Sequence, residues 1–194
     1  NHWFQQLMML VPDLHDIYLE GSTFVALDDI QFMLSHCTKL RNIDLNYVQG
    51  VDADTMTSIA MHCTDLRTLE LRNVQGGNVD AAFDSLAHNC LNLRKLSLVY
   101  CDITQHTLYE LATHCTWLNR LSLTTHDVVD FSEAAPFLKQ LRVLNVFSLE
   151  SMSDDSLLSI VTHCRHLQYV SIRQYSGKCR DVRIVHTIHT NCHM

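Results

Sequence analysis

Along this chain one arrangement of apolar and polar positions returns again and again: Leu-x-x-Leu-x-Leu, or a close variant. It begins at residues 14 (LHDIYL), 40 (LRNIDL), 66 (LRTLEL), 93 (LRKLSL), 118 (LNRLSL), 141 (LRVLNV) and 167 (LQYVSI). Successive spacings are 26, 26, 27, 25, 23 and 26 residues. The last part of each block alternates apolar and polar positions, which is the period of a strand with one buried face. Between the blocks the period changes. Counting back from the residue three before each block, apolar side chains stand seven and four residues earlier: Ile30 and Met33, Met56 and Ile59, Phe83 and Leu86, Leu108 and Leu111, Leu157 and Ile160, Val185 and Ile188. That spacing makes one apolar face of a helix. Asp52, Thr104 and Ser153 precede three of these segments and predict N-caps.

Each unit of roughly 26 residues is therefore a short strand, a turn and a returning helix, neither of which buries its apolar side alone. Strands pair about 4.8 Å apart, whereas packed helices need about 8–10 Å. That mismatch bends the stack into a curved horseshoe with a parallel concave sheet and convex helices. The expectation is an α/β solenoid of about seven repeats, forming a single domain over residues 1–194 that is a fragment of a longer array. The first ten residues read as the end of a preceding helix, with Trp3, Leu7 and Leu10 spaced for a core. The unit between blocks 118 and 141 is short, and Pro136 limits its helix, so an irregular connection is expected there. The adjacent Gly76 and Gly77 fall in the longest connection and permit its turn.

A single column holds Cys37, Cys63, Cys90, Cys115 and Cys164, three residues before their blocks, and Cys192 begins an eighth unit. A thiol suits a tightly packed site where helix turns into strand. Equivalent positions in neighbouring units point in parallel, which excludes the converging geometry of a disulfide. His36, His62, His114 and His163 precede four of these cysteines, where an imidazole meets free helix-end carbonyls. One histidine per unit on an outer wall does not converge on a metal ion, so no metal site is expected there. The denser run His186, His189, Cys192 and His193 reads as a terminal-helix segment in which His186 and His189 could share a weakly bound metal.

The unit CLNLRKLSLVYCDIT, residues 90–104, carries the pattern Cys-x-x-Leu-x-x-Leu-x-Leu-x-x-Cys followed by an Ile-Thr turn, with Cys101 as the second cysteine. This resembles the cysteine-containing leucine-rich repeats of F-box/leucine-rich-repeat proteins. The resemblance implies a non-catalytic protein-protein interaction module, the substrate-recognition region of a Skp1–cullin–F-box ubiquitin ligase. Its contact with Skp1 and cullin would lie outside this chain, in which no F-box is seen. The alternative is a structural subunit of a large stable ciliary or organellar complex.

The polar positions of the strands supply the candidate partner-binding residues on the concave face. The first three blocks offer Asp16, Tyr18, Asp44 and Glu70; later ones offer Lys95, Arg120, Phe147, Tyr169 and Arg173. Aromatic rings beside arginine are the usual makings of an interface hot spot. A second row, Arg41, Arg67, Arg94 and Arg142, follows the anchor leucines and reads as a solvated edge whose stems cover apolar surface.

Composition narrows the rest. Formal charge is -7, from 14 basic and 21 acidic residues, which disfavours nucleic acid and anionic membranes as partners. No apolar run is long enough for a transmembrane helix. The absence of an Asn-x-Ser/Thr sequon and of a signal peptide favours an intracellular location, cytoplasmic or nuclear. No glycine-rich phosphate loop or catalytic arrangement stands out, and neither an enzyme nor a cofactor is expected.

Overall fold

The computed structural model describes residues 2–74, 77–101, 103–125, 130–148, 152–174 and 180–185. Strands β1 (Asp16–Tyr18), β2 (Asn42–Asp44), β3 (Thr68–Arg72), β4 (Lys95–Val99), β5 (Arg120–Thr125), β6 (Val143–Ser148) and β7 (Tyr169–Gln174) lie side by side in chain order. All seven are parallel, and each pairs with the next along the columns read from the sequence. Asp16, Asn42, Thr68, Lys95, Arg120, Val143 and Tyr169 form one row across the sheet. Six helices accompany them among the described residues: α1 (His2–Leu10), α2 (Leu27–His36), α3 (Ala53–His62), α4 (Val79–Asn89), α5 (Gln105–His114) and α6 (Asp154–His163).

The helices start where their caps dictate. Asp52, Thr104 and Ser153 accept from the backbone N–H groups of Thr55 (2.9 Å), Thr107 (3.2 Å) and Ser156 (3.1 Å). Asn78, which the sequence pattern did not single out, does the same for Ala81 at 3.2 Å. Apolar helix positions meet alternate strand residues in one core containing Ile30, Met56, Phe83, Leu108, Ile43, Leu69, Leu96 and Leu121. This leaves the sheet with one covered and one open face.

The connection between β5 and β6 has no helix among its described residues. Phe131, Ala134, Ala135 and Leu138 fill that space in the core through successive turns. Pro136 has no N–H with which to continue a helix, consistent with the expected irregular link.

Two expectations change. On α1 the buried residues are Phe4 and Met8, while Trp3, Leu7 and Leu10 are exposed. Their spacing marks a helix face correctly but not which face is covered, because a short, largely apolar helix offers two. Val185, expected on a helix, ends strand β8 (Arg180–Val185), which pairs antiparallel with β7 and places Val182 opposite Ile172. The alternation in DVRIV matches a strand period. Gly76, Ile188 and the run His186, His189, Cys192 and His193 lie outside the described residues.

The cysteine column is a ladder. Cys37, Cys63, Cys90, Cys115 and Cys164 are buried free thiols, and Cys101 is buried as well. Cys90 Sγ donates to the carbonyl oxygen of Cys63 at 3.5 Å, Cys115 Sγ to that of Cys90 at 3.9 Å, and Cys37 Sγ to that of Val11 at 3.7 Å. Each thiol thus fills a tight site, and those of Cys37, Cys90, Cys115 and Cys164 offer a weak hydrogen bond to the preceding segment. Thiol-directed reagents are expected to leave these five cysteines largely unmodified in native protein and to modify them after denaturation. Rapid native labelling, quantified by mass, would contradict this packing.

Candidate partner-binding face

The open face is built from strand positions that the core cannot use. Once Leu121, Leu144 and Ile172 turn inward, the pleat sends Arg120, Val143, Asn145, Phe147, Tyr169 and Arg173 outward. Phe147, Tyr169 and Arg173 line one depression of about 280 Å³, floored by small residues including Ser122, Thr124 and Ser171. Two rings and a guanidinium therefore surround a recess above short side chains. Asn145 Nδ2 donates to Ser122 Oγ at 3.1 Å, fixing the polar middle of that floor.

Arg120 lies elsewhere. With Arg94 and Arg142 it lines a cavity of about 410 Å³ at the N-terminal edge of β5 and β6, together with Trp117, Asn119, Gln140 and Gln168. No carboxylate is among these lining residues. Arg67, Arg94 and Arg142 are exposed, as a solvated edge requires, and here the row also borders a basic, amide-rich recess. The guanidinium stems gather because the carbonyls of Arg94 and Arg142 each accept two backbone N–H groups of the next strand's start, holding these residues in rank.

The other candidates are occupied in the fold. Lys95 Nζ pairs with Glu70 Oε1 at 2.6 Å, both half-buried, so neither is a free charge for a partner. Asp16 accepts from Asn42 across β1 and β2, and Asp44 Oδ1 accepts from the N–H of Asn46 at 2.9 Å. Tyr18 is exposed.

A third feature was not legible as a site. Gly21, Tyr47, Asn73 and Tyr100 share one register position just past their strands, and all have positive φ (67°, 59°, 62° and 53°). Glycine adopts this conformation freely; tyrosine does so at a cost of about 1–2 kcal/mol. Between the two tyrosines stands Arg72, its guanidinium carbon 4.4 Å from the Tyr47 ring centre and 4.8 Å from that of Tyr100. Arg72 Nη1 also donates to Tyr47 Oη at 2.8 Å. Two strand spacings of about 4.8 Å separate the rings, just enough for one guanidinium. The sequence signal was Tyr47 and Tyr100 in the same column two segments apart, with an arginine in the neighbouring column between them.

Neither a scan against protein-family models nor a search of curated proteins found a match for this chain. No helix among the described residues is long and apolar enough to cross a membrane.

Proposed function

We propose that this chain is a leucine-rich-repeat solenoid of the cysteine-containing class. In this reading its open sheet face binds another protein as the substrate-recognition region of an F-box-type ubiquitin ligase. The observation that carries it is the grouping of Phe147, Tyr169 and Arg173 around one recess. Rings provide large apolar contact area at low entropic cost, and arginine adds planar, multi-donor hydrogen bonding. The arginine cavity at the edge of β5 and β6 adds specificity for an acidic or phosphorylated group on the same partner. A protein of net charge -7 then meets an anion through a local recess rather than through its overall field.

The first experiment is affinity capture with the full-length protein, asking whether Skp1 and a cullin co-purify with a substrate. Phe147→Ala or Tyr169→Ala is expected to weaken substrate binding by more than about 1 kcal/mol, roughly fivefold, with the fold intact. Arg142→Glu is expected to weaken it and to flatten its salt dependence. Small, equal effects at all these positions would move the partner to the helical wall and favour the structural-subunit alternative.

A further inference from the structure

We propose that the outer seam between α4 and α5 is a binding site for a zinc-class divalent ion, held by His88, Glu110 and His114. One donor atom from each of the three lies within 4.8 Å of the others. His88 Nε2 is 3.9 Å and His114 Nδ1 3.5 Å from Glu110 Oε2, and the two imidazole centres are 4.1 Å apart. A tetrahedral ion with ligand bonds of about 2.0–2.2 Å sets its ligand atoms about 3.4 Å apart. Side-chain adjustments of about an ångström, with the His114 ring re-aimed, close the site, and both histidines are exposed enough to make them.

The His88 ring is already oriented for it. His88 Nδ1 is 2.8 Å from the carbonyl oxygen of Asp84, and His114 Nδ1 is 3.0 Å from that of Glu110. A carbonyl only accepts, so in the neutral His88 ring Nδ1 carries the proton and Nε2, the atom nearer Glu110, keeps its lone pair. His114 instead brings Nδ1 nearest the carboxylate and must release that carbonyl bond, or turn Nε2 inward, to act as a ligand. Backbone carbonyls of this kind are the usual outer partners of metal-bound histidine. The Glu110 carboxylate is the least exposed member, at 17% of its side chain. Both imidazoles lie within 3.9 Å of it, and its charge also reaches His106. The His88 lone pair and the Glu110 carboxylate, with the His114 ring beside them, are stabilised by a cation between them.

A one-residue shift in the sequence accounts for the convergence. His36, His62, His114 and His163 immediately precede their cysteines, but in the α4 segment Asn89 takes that place and the histidine comes one residue earlier. One residue turns a helix by about 100°. The imidazole of His88 thereby swings from its own column toward α5, where Glu110 and His114 stand four apart on one face. The four histidines that precede their cysteines stand one per unit, and it is His88, outside that column, that meets His114.

Two imidazoles and one carboxylate select zinc, cobalt, nickel or copper over magnesium and calcium. Three protein ligands leave a fourth position for water or for a side chain of a bound protein. The site lies on the helical wall and stands independently of the open-face reading.

The test is titration of the full chain with Co²⁺, read by visible absorption. A background carrying His186→Asn, His189→Asn, Cys192→Ser and His193→Asn removes the competing C-terminal donors. One equivalent of cobalt with the intense bands of tetrahedral coordination is expected. His88→Asn, Glu110→Gln and His114→Asn should each raise the Kd by at least about tenfold, while His62→Asn leaves it unchanged. Circular dichroism of each metal-free variant checks the fold. Absence of bound cobalt, or a Kd within about threefold of the background in any two of the three variants, overturns the proposal.

Discussion

Truncating Leu96 to alanine is expected to lower the stability of the fold by about 2–5 kcal/mol, and Leu69 and Leu121 should behave alike. The three side chains occupy one row across β3, β4 and β5, where Leu69 pairs with Leu96 and Leu96 with Leu121. All are at most 1% exposed. Each cavity would be walled by the next leucine in the row and by the helix behind it, so neighbours have little freedom to collapse into it. Contacts in this chain run chiefly between successive segments, so a defect in the middle strands weakens the coupling of both halves. Urea unfolding of the three variants measures the effect. Losses below about 0.5 kcal/mol at all three would show that the buried row is misplaced.

The second large effect is a loss of stability in alkali. Burial pushes the thiols of Cys63, Cys90 and Cys115 up to about 12 from the usual 9.0, and that of Cys164 to about 11. Its cause is loss of hydration for the thiolate; for Cys63 and Cys90, repulsion between neighbouring column members adds to it. The unfolded chain releases these protons near 9, whereas the folded chain holds them until about 12. The stabilisation is therefore complete below about 9 and is lost as pH rises toward 12. Within that window each such thiol steepens the decline by about 1.4 kcal/mol per pH unit. Urea midpoints should fall sharply between about pH 8.5 and 10.5. Cys90→Ala, whatever its effect at neutral pH, should make that fall shallower. An identical pH slope in the variant would sink the account.

Much of the fold was legible from spacing. A strand whose alternate residues are leucine, followed by a helix with apolar residues three and four apart, leaves one way to bury both faces. The row of Asp16, Asn42, Thr68 and Lys95 across successive strands followed from counting alone. Asp52, Thr104 and Ser153 were legible because capping is a local hydrogen bond between residues three apart. Pro136 was legible because a missing N–H is a property of the residue itself. Trp3 and Leu10 were misread because burial on α1 depends on what lies across from it.

The candidate sites divide the same way. Phe147, Tyr169 and Arg173 were named from the parity of their strand positions, and parity alone turns them to the open face. Lys95 and Glu70 were named by that rule too, but it does not report that they neutralise each other across β3 and β4. The Tyr47–Arg72–Tyr100 stack, the recess of Arg94, Arg120 and Arg142, and the approach of His88 to His114 each join residues 20 or more positions apart. Their distances depend on strand spacing, backbone conformation and a one-residue rotation on α4.

By itself the sequence determined the strand order and parallel register through β7 and the thiol column, because these follow from periods of two and about 3.6 residues repeated every 26 or so. The tertiary structure alone decided which charged and aromatic side chains meet. Ion pairs, ring stacking and metal coordination act over about 2–6 Å, and a repeat period fixes neighbouring columns only to about a strand spacing.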